Sequence, residues 1–418
     1  MRVKFITLGC KTNYYESQAM SELFRKKGYE ITEDNLPADI YVINTCTVTG
    51  VGAQKSRQHI RKAKKENPNA IIAVCGCYAQ TEPEKVAALG GVDVIIGTNG
   101  KGKIVDLVEN AIKGIKSPFK NEISGRAEYE ELGITNEQSR IRAVIKIQDG
   151  CDNFCTYCII PYARGRVRSR EPENILNEVM RLAKSGYPEI VLTGIHLDSY
   201  GKDFGYKTKL IDIIEQISAV EGIKRIRLGS LEPVIITEEF VKRAKNIKNL
   251  CPHFHLSLQS GCTETLKRMN RRYNAEDFER AAKLLKENMP DVSLTTDIMV
   301  GFPGETDEEF SASYDFCKKI GFMQMHVFKY SKRDGTKAAV MENQVPENIK
   351  EERSQKMLAL SKEMHENFKS RYKGKKMSVL VEEKNKNGIF HGTTANYLDV
   401  YIKSDTDISN RFVETVIE

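Results

Sequence analysis

The sequence predicts an α/β protein with an N-terminal doubly wound parallel sheet, a central partial (βα)6 barrel and a small C-terminal β module. Three observations lead to this prediction. Apolar runs alternate with helical segments up to about residue 330, a long charged helix follows, and short alternating runs end the sequence. We expect an N-terminal domain over residues 1–118, a linker over 119–139, a barrel domain with its following helix over 140–371, and a β module over 372–418.

The N-terminal domain repeats one pattern three times: an apolar strand, a cysteine at its end, and a polar helix. The strands predicted at 3–10, 40–46 and 71–77 end at Cys10, Cys46 and Cys77. Because the carboxyl ends of parallel strands meet at one edge of a sheet, we expect these cysteines to converge. Cys75 should lie on the opposite face of its strand and pack in the core.

A fourth strand at 92–97 and a helix at 103–113 complete this domain. The barrel then continues the alternation with six strands, at 143–148, 189–193, 225–229, 255–258, 293–300 and 325–330. Polar or glycine-rich segments lie just past several of them, where barrel enzymes place functional groups, although ordinary loops use the same residue types. These candidates are Thr193, Gly194, Ser230, Glu232, Gln259, Gly301, Pro303 and Gly304.

Composition narrows the class of protein. No apolar run reaches the ~18 residues of a membrane helix, and the N-terminus lacks the features of a signal peptide, so we expect a cytoplasmic protein without membrane association. In that reducing compartment the 10 cysteines favour metal binding or catalysis over disulfides. The net charge of +7 has meaning only where the basic residues cluster.

The most specific motif is a CxxxCxxC loop after the first barrel strand. Its thiolates, on Cys151, Cys155 and Cys158, can bind three corners of a cubane iron–sulfur cluster and leave one iron open. A zinc site is the alternative, but tetrahedral zinc requires a fourth ligand and favours CxxC pairs.

This loop resembles the signature of the radical S-adenosylmethionine (SAM) enzymes, including the aromatic residue Tyr157 before the last cysteine. The resemblance implies that the open iron binds the methionine end of SAM and that one electron cleaves SAM to a 5′-deoxyadenosyl radical. It also implies that the strand-end candidates of the barrel contact this cofactor.

The segments 9–13, 44–49 and 76–80 resemble those of the methylthiotransferases, in which three such cysteines hold a second 4Fe-4S cluster. The resemblance implies two 4Fe-4S clusters with catalytic roles for all six cysteines, an electron donor and a sulfur source. We further expect the N-terminal sheet edge to cap the barrel mouth, so that both clusters face one cavity. The tail resembles the RNA-binding TRAM domain, although only three strands are recognisable, at 377–381, 397–402 and 412–417.

Within this family, segments 45–49, 55–58, 159–165 and 330–336 most resemble the branch that methylthiolates C2 of N6-threonylcarbamoyladenosine beside the tRNA anticodon. The implied partner is the tRNA anticodon stem-loop, with Arg164 or Arg333 as candidates for binding the threonyl carboxylate. Three alternatives stay open: the same chemistry on tRNA isopentenyladenosine, the same chemistry on an aspartate of a ribosomal protein, or a non-catalytic iron–sulfur scaffold that binds RNA.

Three basic groups are candidates for RNA contact. The first forms a stripe on a predicted helix, and the second recurs at every second residue of a predicted extended segment. The third lies in the tail beside two tyrosines that can stack on bases or pack against the protein. The three groups are Arg57, Arg61, Lys64 and Lys65; Arg164, Arg166, Arg168 and Arg170; and Lys369, Arg371, Lys373, Lys375 and Lys376 with Tyr397 and Tyr401.

Overall fold

The computed structural model describes residues 1–32, 36–115, 119, 123, 128–134, 141–384 and 388–418. The chain begins with a five-stranded parallel sheet of order β2-β1-β3-β4-β5. Its strands are β1 (Arg2–Thr7), β2 (Glu30–Thr32), β3 (Ile40–Thr45), β4 (Ile71–Gly76) and β5 (Val94–Ile95). Its helices are α1 (Lys11–Lys26), α2 (Gly50–Glu66), α3 (Cys77–Thr81), α4 (Pro83–Ala87) and α5 (Ile104–Ile112).

This sheet has an apolar core on each face, as a doubly wound arrangement requires. Phe24 of α1 and Val108 of α5 pack on one face, whereas Ile60 and Ala63 of α2 pack on the other. The predicted sheet is therefore confirmed. The sequence analysis missed only the short edge strand β2.

The central domain is an open barrel of six parallel strands. Two three-stranded sheets, of order β10-β9-β6 and β11-β12-β13, are joined by the bridges Ile226 to Leu250 and Leu231 to Leu256. The six barrel strands are β6 (Arg142–Lys146), β9 (Glu189–Thr193), β10 (Arg225–Leu228), β11 (His253–His255), β12 (Ser293–Val300) and β13 (Gln324–Lys329). Two further strands, β7 (Gln148–Asp149) and β8 (Arg168–Ser169), lie between β6 and β9 in the sequence. The short strands β7 and β8 pair with one another in antiparallel orientation and form a separate two-stranded sheet.

Helices cover the outside of the barrel and enclose one large apolar core. The long last helix packs on β13 and carries the chain to the C-terminal module. These helices are α6 (Ile160–Arg164), α7 (Pro172–Lys184), α8 (Leu210–Ser218), α9 (Glu238–Ala244), α10 (Thr263–Arg268), α11 (Ala275–Asn288), α12 (Asp307–Ile320) and α13 (Glu347–Ser370).

The C-terminal module is a four-stranded antiparallel sheet of order β16-β15-β14-β17. Its strands are β14 (Lys376–Lys384), β15 (Ile389–Thr394), β16 (Asp399–Lys403) and β17 (Phe412–Val416). The expectation of three strands was wrong, because β15 contains Gly392 and two threonines that interrupt apolar alternation. Tyr397, predicted on a strand, instead lies in the turn before β16 with a φ of 72°.

Residues 128–134 join the first two domains. The Glu130 carboxylate accepts hydrogen bonds from the backbone N–H groups of Gly100 (3.1 Å) and Gly102 (2.8 Å), and Ile134 packs in the barrel core. The Tyr129 hydroxyl donates to the carbonyl of Lys146 at 2.8 Å. Most of the predicted linker, 119–139, lies outside the described residues, but this part of it is packed structure.

Across the described ranges, we find no helix that combines the length and the apolar character needed to cross a membrane.

Candidate active site: two cysteine trios and a chamber

Cys10, Cys46 and Cys77 converge at the carboxyl edge of the N-terminal sheet. Cys10 precedes α1, Cys46 follows β3, and Cys77 is the first residue of α3, directly after β4. Gly9 permits the close approach of two of these segments. Its φ is 102°, and a Cβ at this position would lie 3.1 Å from the Sγ of Cys46.

The three thiols interact electrostatically. Burial raises the pKa of Cys46 to about 11, and repulsion from Cys77 and Cys10 adds to the rise. Burial also raises the pKa of Cys77, which the adjacent guanidinium of Arg164 partly offsets. Cys75 packs in the apolar core on the opposite face, and burial raises its pKa to about 12. The raised pKa values of Cys46 and Cys77 favour their protonated thiols, and metal binding would release those protons.

Arg164 ends the short helix that follows the CxxxCxxC loop, and it is completely buried. Its guanidinium donates to Glu16 (2.8 Å), Asp149 (3.1 Å) and the side-chain oxygen of Asn13 (2.7 Å). Burial alone would favour the neutral acid, but Arg164 and two buried lysines hold the pKa of Glu16 far below its usual range. The predicted role of Arg164 in binding phosphate or substrate carboxylate was therefore wrong: the side chain is completely buried, and both of its terminal nitrogens donate to protein acceptors.

The other arginines of this predicted extended stripe also pair with acidic residues of the protein. Arg168 pairs with Asp149 at 3.4 Å, and Arg170 is buried against Glu131 and Glu178. Arg166 is exposed, 3.6 Å from Asp152. The prediction of four parallel phosphate-binding arginines was wrong, because α6 and β8 turn this segment and distant acids pair with three of the four.

The CxxxCxxC loop is held by backbone contacts to two neighbouring segments. The N–H of Cys151 donates to the carbonyl of Gly165 (3.0 Å), and the N–H of Thr156 donates to the carbonyl of Met269 (3.0 Å). Burial and the nearby Cys155 raise the pKa of Cys151 to about 11 and that of Cys158 to about 12. The two backbone hydrogen bonds, which do not involve a metal, hold the loop in position.

Arg271 faces this loop and was not identified from the sequence. Its guanidinium lies 3.3 Å from the Sγ of Cys155 and 3.5 Å from the hydroxyl of Tyr157, and it pairs with Glu232 at 2.9 Å. The Tyr157 ring contacts Phe302 edge-on at 6.4 Å. The loop of Gly301, Pro303 and Gly304 therefore flanks the predicted aromatic residue.

A buried polar cluster connects the loop to the barrel. The amide of Asn153 lies 2.9 Å from Glu232 and 3.1 Å from His196, and the backbone N–H of Glu232 donates to Asp198 at 2.6 Å. Burial raises the pKa of Asp198 to about 7, and Glu232 adds to that rise against the opposing effect of His196. The sequence analysis missed His196 and Asp198, although both lie just past the strand that ends at Thr193.

A chamber of about 650 Å³ occupies the barrel interior. Cys10 lines it together with Thr193, Gly194 and Ser230, three of the predicted strand-end residues. Glu232, two residues after Ser230, belongs to the polar cluster that contacts the CxxxCxxC loop. Gln259 instead forms a backbone bridge to β12, with a φ of 68°.

The lining of this chamber includes several charged and imidazole side chains. Tyr397 of the C-terminal module is part of this lining, stacked on His253 at 4.6 Å and lying under Arg227 at 4.7 Å. Of the two roles expected for this tyrosine, stacking on bases or packing against the protein, the structure therefore shows packing. The charged and imidazole side chains of the lining are Lys11, Arg142, Arg227, His253, His255, Asp297 and His326.

The distances between ligating atoms distinguish the two cysteine trios from sites that bind a single metal ion. In the described part of the chain, two sets of ligating side chains bring their atoms within 4.8 Å of one another: His255, Asp297 and His326, and His196, Asp198 and Glu232. Neither set contains a cysteine. The sulfurs of tetrahedral zinc lie about 3.8 Å apart, whereas a cubane binds each sulfur at a separate corner and needs wider spacing.

The basic stripe of α2 has the predicted orientation, since Ile60 and Ala63 are buried and Arg61 is exposed. Arg57 contacts the Tyr78 hydroxyl at 3.3 Å. The basic tail residues from Arg371 to Lys376 are exposed, as is Tyr401. Arg333 donates to Thr47 and lies 3.8 Å from Glu82, so it contacts the N-terminal domain and not the chamber wall.

Comparison with known families gives two matches. Residues 145–317 match the Radical SAM superfamily, and residues 2–97 match the Uncharacterized protein family UPF0004. The N-terminal trio lies in the second match and the CxxxCxxC loop in the first.

Similar proteins extend over nearly the whole chain. The threonylcarbamoyladenosine tRNA methylthiotransferase MtaB of Bacillus subtilis (strain 168) is 43% identical, covering 99% of this chain and 93% of that protein. Its namesake in Aquifex aeolicus (strain VF5) is 39% identical over 96% of each. The tRNA-2-methylthio-N(6)-dimethylallyladenosine synthase of Acetivibrio thermocellus is 36% identical, covering 98% of this chain and 87% of that protein.

Among solved structures, the radical S-adenosylmethionine methyltransferase TsrM of Kitasatospora setae shares the fold with a TM-score of 0.61. It is 15% identical and covers 81% of this chain and 77% of that chain.

Proposed function

The chain belongs to the radical SAM tRNA methylthiotransferases, and from this premise we propose that it methylthiolates C2 of N6-threonylcarbamoyladenosine next to the anticodon of tRNA. One observation carries the proposal. Cys10 of the N-terminal trio and the strand ends of the barrel, at Thr193, Gly194 and Ser230, line the same chamber. A base in that chamber would lie beside Cys10 and beside Ser230, two residues before the Glu232 that contacts the CxxxCxxC loop.

The cofactors of this family are SAM and two 4Fe-4S clusters, and the two trios have a suitable donor set. Each trio offers three thiols, and each has a guanidinium beside one sulfur, Arg164 at Cys77 and Arg271 at Cys155. These cations favour thiolates over thiols. We propose that Cys151, Cys155 and Cys158 hold the cluster that binds SAM, and that Cys10, Cys46 and Cys77 hold the second cluster.

We propose that SAM contacts the residues around the CxxxCxxC loop. Tyr157 with the loop of Gly301, Pro303 and Gly304 would lie on one side. The polar cluster of Glu232, extended by His196 and Asp198, would offer hydrogen bonds, and Gln259 would border the site. When bound, these cofactors supply a carbon-centred radical and a sulfur atom, because C2 of adenine carries a hydrogen that is neither acidic nor hydridic.

The chain's own contribution is positioning. The backbone bonds of Cys151 and Thr156 hold the loop, and Arg164 fixes α1 and α6 to one another through Glu16. Tyr397 with its stacked His253 adds an aromatic surface to the chamber wall. This arrangement keeps reacting groups in one geometry, which is the main source of rate enhancement available to side chains that take no part in bond making.

The chamber chemistry favours the threonylcarbamoyl substrate over the dimethylallyl one. Threonylcarbamoyl groups carry a carboxylate, a hydroxyl and a carbonyl, whereas the dimethylallyl group is a hydrocarbon. The lining carries Lys11, Arg142, Arg227 and three histidines, and burying an apolar substituent against them would leave polar groups desolvated. A carboxylate-bearing substituent is the better match to this wall.

We propose that the α2 stripe and the exposed basic tail residues contact the phosphates of the anticodon stem-loop. A tRNA substrate would place the enzyme in the cytoplasm. We propose that turnover also requires an external electron donor and a sulfur source.

The test is anaerobic reconstitution with hypomodified tRNA and SAM, followed by mass spectrometry of the nucleosides. We expect the 2-methylthio derivative of N6-threonylcarbamoyladenosine from the wild-type protein and from Cys75→Ala, which alters a cysteine outside both trios. Cys46→Ala and Cys155→Ala should give no product, and only Cys155→Ala should also lose SAM cleavage. Methylthiolated isopentenyladenosine as the sole product would contradict the substrate assignment.

A further inference from the structure

Three side chains of the chamber wall converge on one point, and the function proposed above uses them only as part of a polar wall. His255, Asp297 and His326 lie on the adjacent strands β11, β12 and β13, and their ligating atoms are within 4.8 Å of one another. The parallel register explains this: Asp297 is the register partner of His326, and His255 is the partner of Thr295, two residues before Asp297. Side chains two residues apart on a strand share a face, so all three face the chamber.

His255 is oriented as a metal-binding histidine would be. Its Nδ1 lies 3.0 Å from the hydroxyl of Thr295, which leaves Nε2 pointing towards Asp297 at 3.4 Å. That Nε2 atom is buried and has no hydrogen-bond partner. Metal-ligating histidines characteristically have the second ring nitrogen held by an outer partner, and here Thr295 is that partner.

We propose that His255, Asp297 and His326 bind one divalent transition-metal ion, of the zinc class, whose open coordination positions take oxygen atoms of the threonylcarbamoyl group. The inference rests on the proposed function for its substrate. Two imidazoles with one carboxylate form a donor set that suits zinc and leaves coordination positions free.

Charge explains why an ion would be needed here. The carboxylate of Asp297 faces the chamber and would repel a substrate carboxylate placed beside it. A bound divalent ion reverses the sign of the local charge and creates an attachment point for that substrate. The exposed His326 leaves this point open on the chamber side.

The test compares the reconstituted holoprotein with His326→Gln and Asp297→Asn after equilibration with Zn²⁺ and desalting. We expect about one zinc per chain in the wild type and about tenfold less in both variants, with iron and sulfide contents unchanged. Gln324→Ala, on the same strand and lining the same chamber, is the matched control and should keep the zinc. Because His326 is exposed, His326→Gln remains informative if Asp297→Asn disturbs folding.

Zinc K-edge absorption identifies the ligands. Nitrogen and oxygen neighbours support the site, whereas sulfur neighbours would show that zinc occupies cysteine positions and would overturn it. Zinc content equal in all variants would also overturn it.

The proposed binding of the threonylcarbamoyl group to the zinc ion is tested separately, by the affinity for two stem-loops. With zinc bound, an anticodon stem-loop carrying N6-threonylcarbamoyladenosine should bind at least about tenfold more tightly than the unmodified stem-loop, and His326→Gln should abolish this preference. Equal affinities in the zinc-loaded wild type would overturn the ligand assignment. Formation of the methylthiolated nucleoside by a zinc-free protein would overturn the inference while leaving the proposed function intact.

Discussion

Arg164 donates a hydrogen bond of 2.8 Å to Glu16, and both side chains are buried. Glu16 belongs to α1, which starts directly after Cys10, and Arg164 ends the helix that follows Cys158. This ion pair therefore connects the two cysteine sites across the domain boundary. Lys101 (2.9 Å) and Lys146 (2.8 Å) complete the charge balance around Glu16.

Replacing Arg164 with Gln should destabilise the protein strongly. Glu16 and Asp149 would lose a buried cation, and breaking such a pair typically costs about 3–5 kcal/mol. Urea unfolding under anaerobic conditions measures this change. Arg166→Gln, an exposed arginine two residues later, is the control and should cost at most about 1 kcal/mol. Equal stability of the two variants would contradict the interpretation of the Arg164 network.

Arg271 should tune the cluster of the CxxxCxxC loop. Its hydrogen bond to the Sγ of Cys155 stabilises negative charge on the sulfur and so favours the reduced cluster. Arg271→Gln should lower the reduction potential by on the order of 60 mV, the one-electron equivalent of about 1.4 kcal/mol. Redox titration followed by electron paramagnetic resonance measures the potential. Arg272→Gln, which alters an exposed neighbour, should leave it unchanged.

Asp198 should make stability depend on pH near neutrality. Its pKa of about 7 in the folded protein exceeds the ordinary value of 3.8, because burial penalises the charged form. Between those values the folded state holds more protons than the unfolded state, so stability falls as pH rises towards 7 and levels off above it.

Asp198→Asn, which carries no charge at either pH, should lack this dependence. Relative to this variant, the wild type should lose about 2 kcal/mol of unfolding free energy between pH 5.5 and pH 7. Urea unfolding at both pH values provides the measurement. A constant difference would show that Asp198 is already ionised at pH 5.5.

Binding of tRNA should depend on the outer face of α2. Replacing Arg61 and Lys65 with Gln together should weaken binding of the anticodon stem-loop, and the slope of log K against log salt should become shallower by about 1.5 to 2. Filter binding over a range of salt concentrations tests this. Lys283→Gln, an exposed lysine of α11, is the control. An unchanged slope in the double variant would remove α2 from the RNA-binding surface.

Local patterns were sufficient to predict the domain order, the parallel sheets and the convergence of Cys10, Cys46 and Cys77. The alternation of strands and helices shows where each strand ends, and in a parallel sheet the carboxyl ends of the strands meet at one edge. The position of Cys75 on the opposite face follows from the same two-residue period.

Partners that come from distant segments could not be predicted in this way. The arginines of the 164–170 segment recur at every second residue, but their orientation depends on acids such as Glu16 and Glu178, which belong to other elements. Likewise, His255, Asp297 and His326 meet only through the register of three parallel strands. Neither relationship leaves a signal in a short stretch of sequence.

Cluster counting tests the central claim most directly: that two separate cysteine trios each hold one cubane. Iron and acid-labile sulfide would be determined per chain, with Mössbauer spectra, for anaerobically reconstituted wild type, Cys46→Ala and Cys155→Ala. We predict two cubanes in the wild type and one in each variant, with different spectra for the remaining cluster. A wild-type protein with a single cubane, or a Cys46→Ala variant that keeps both, would contradict the account.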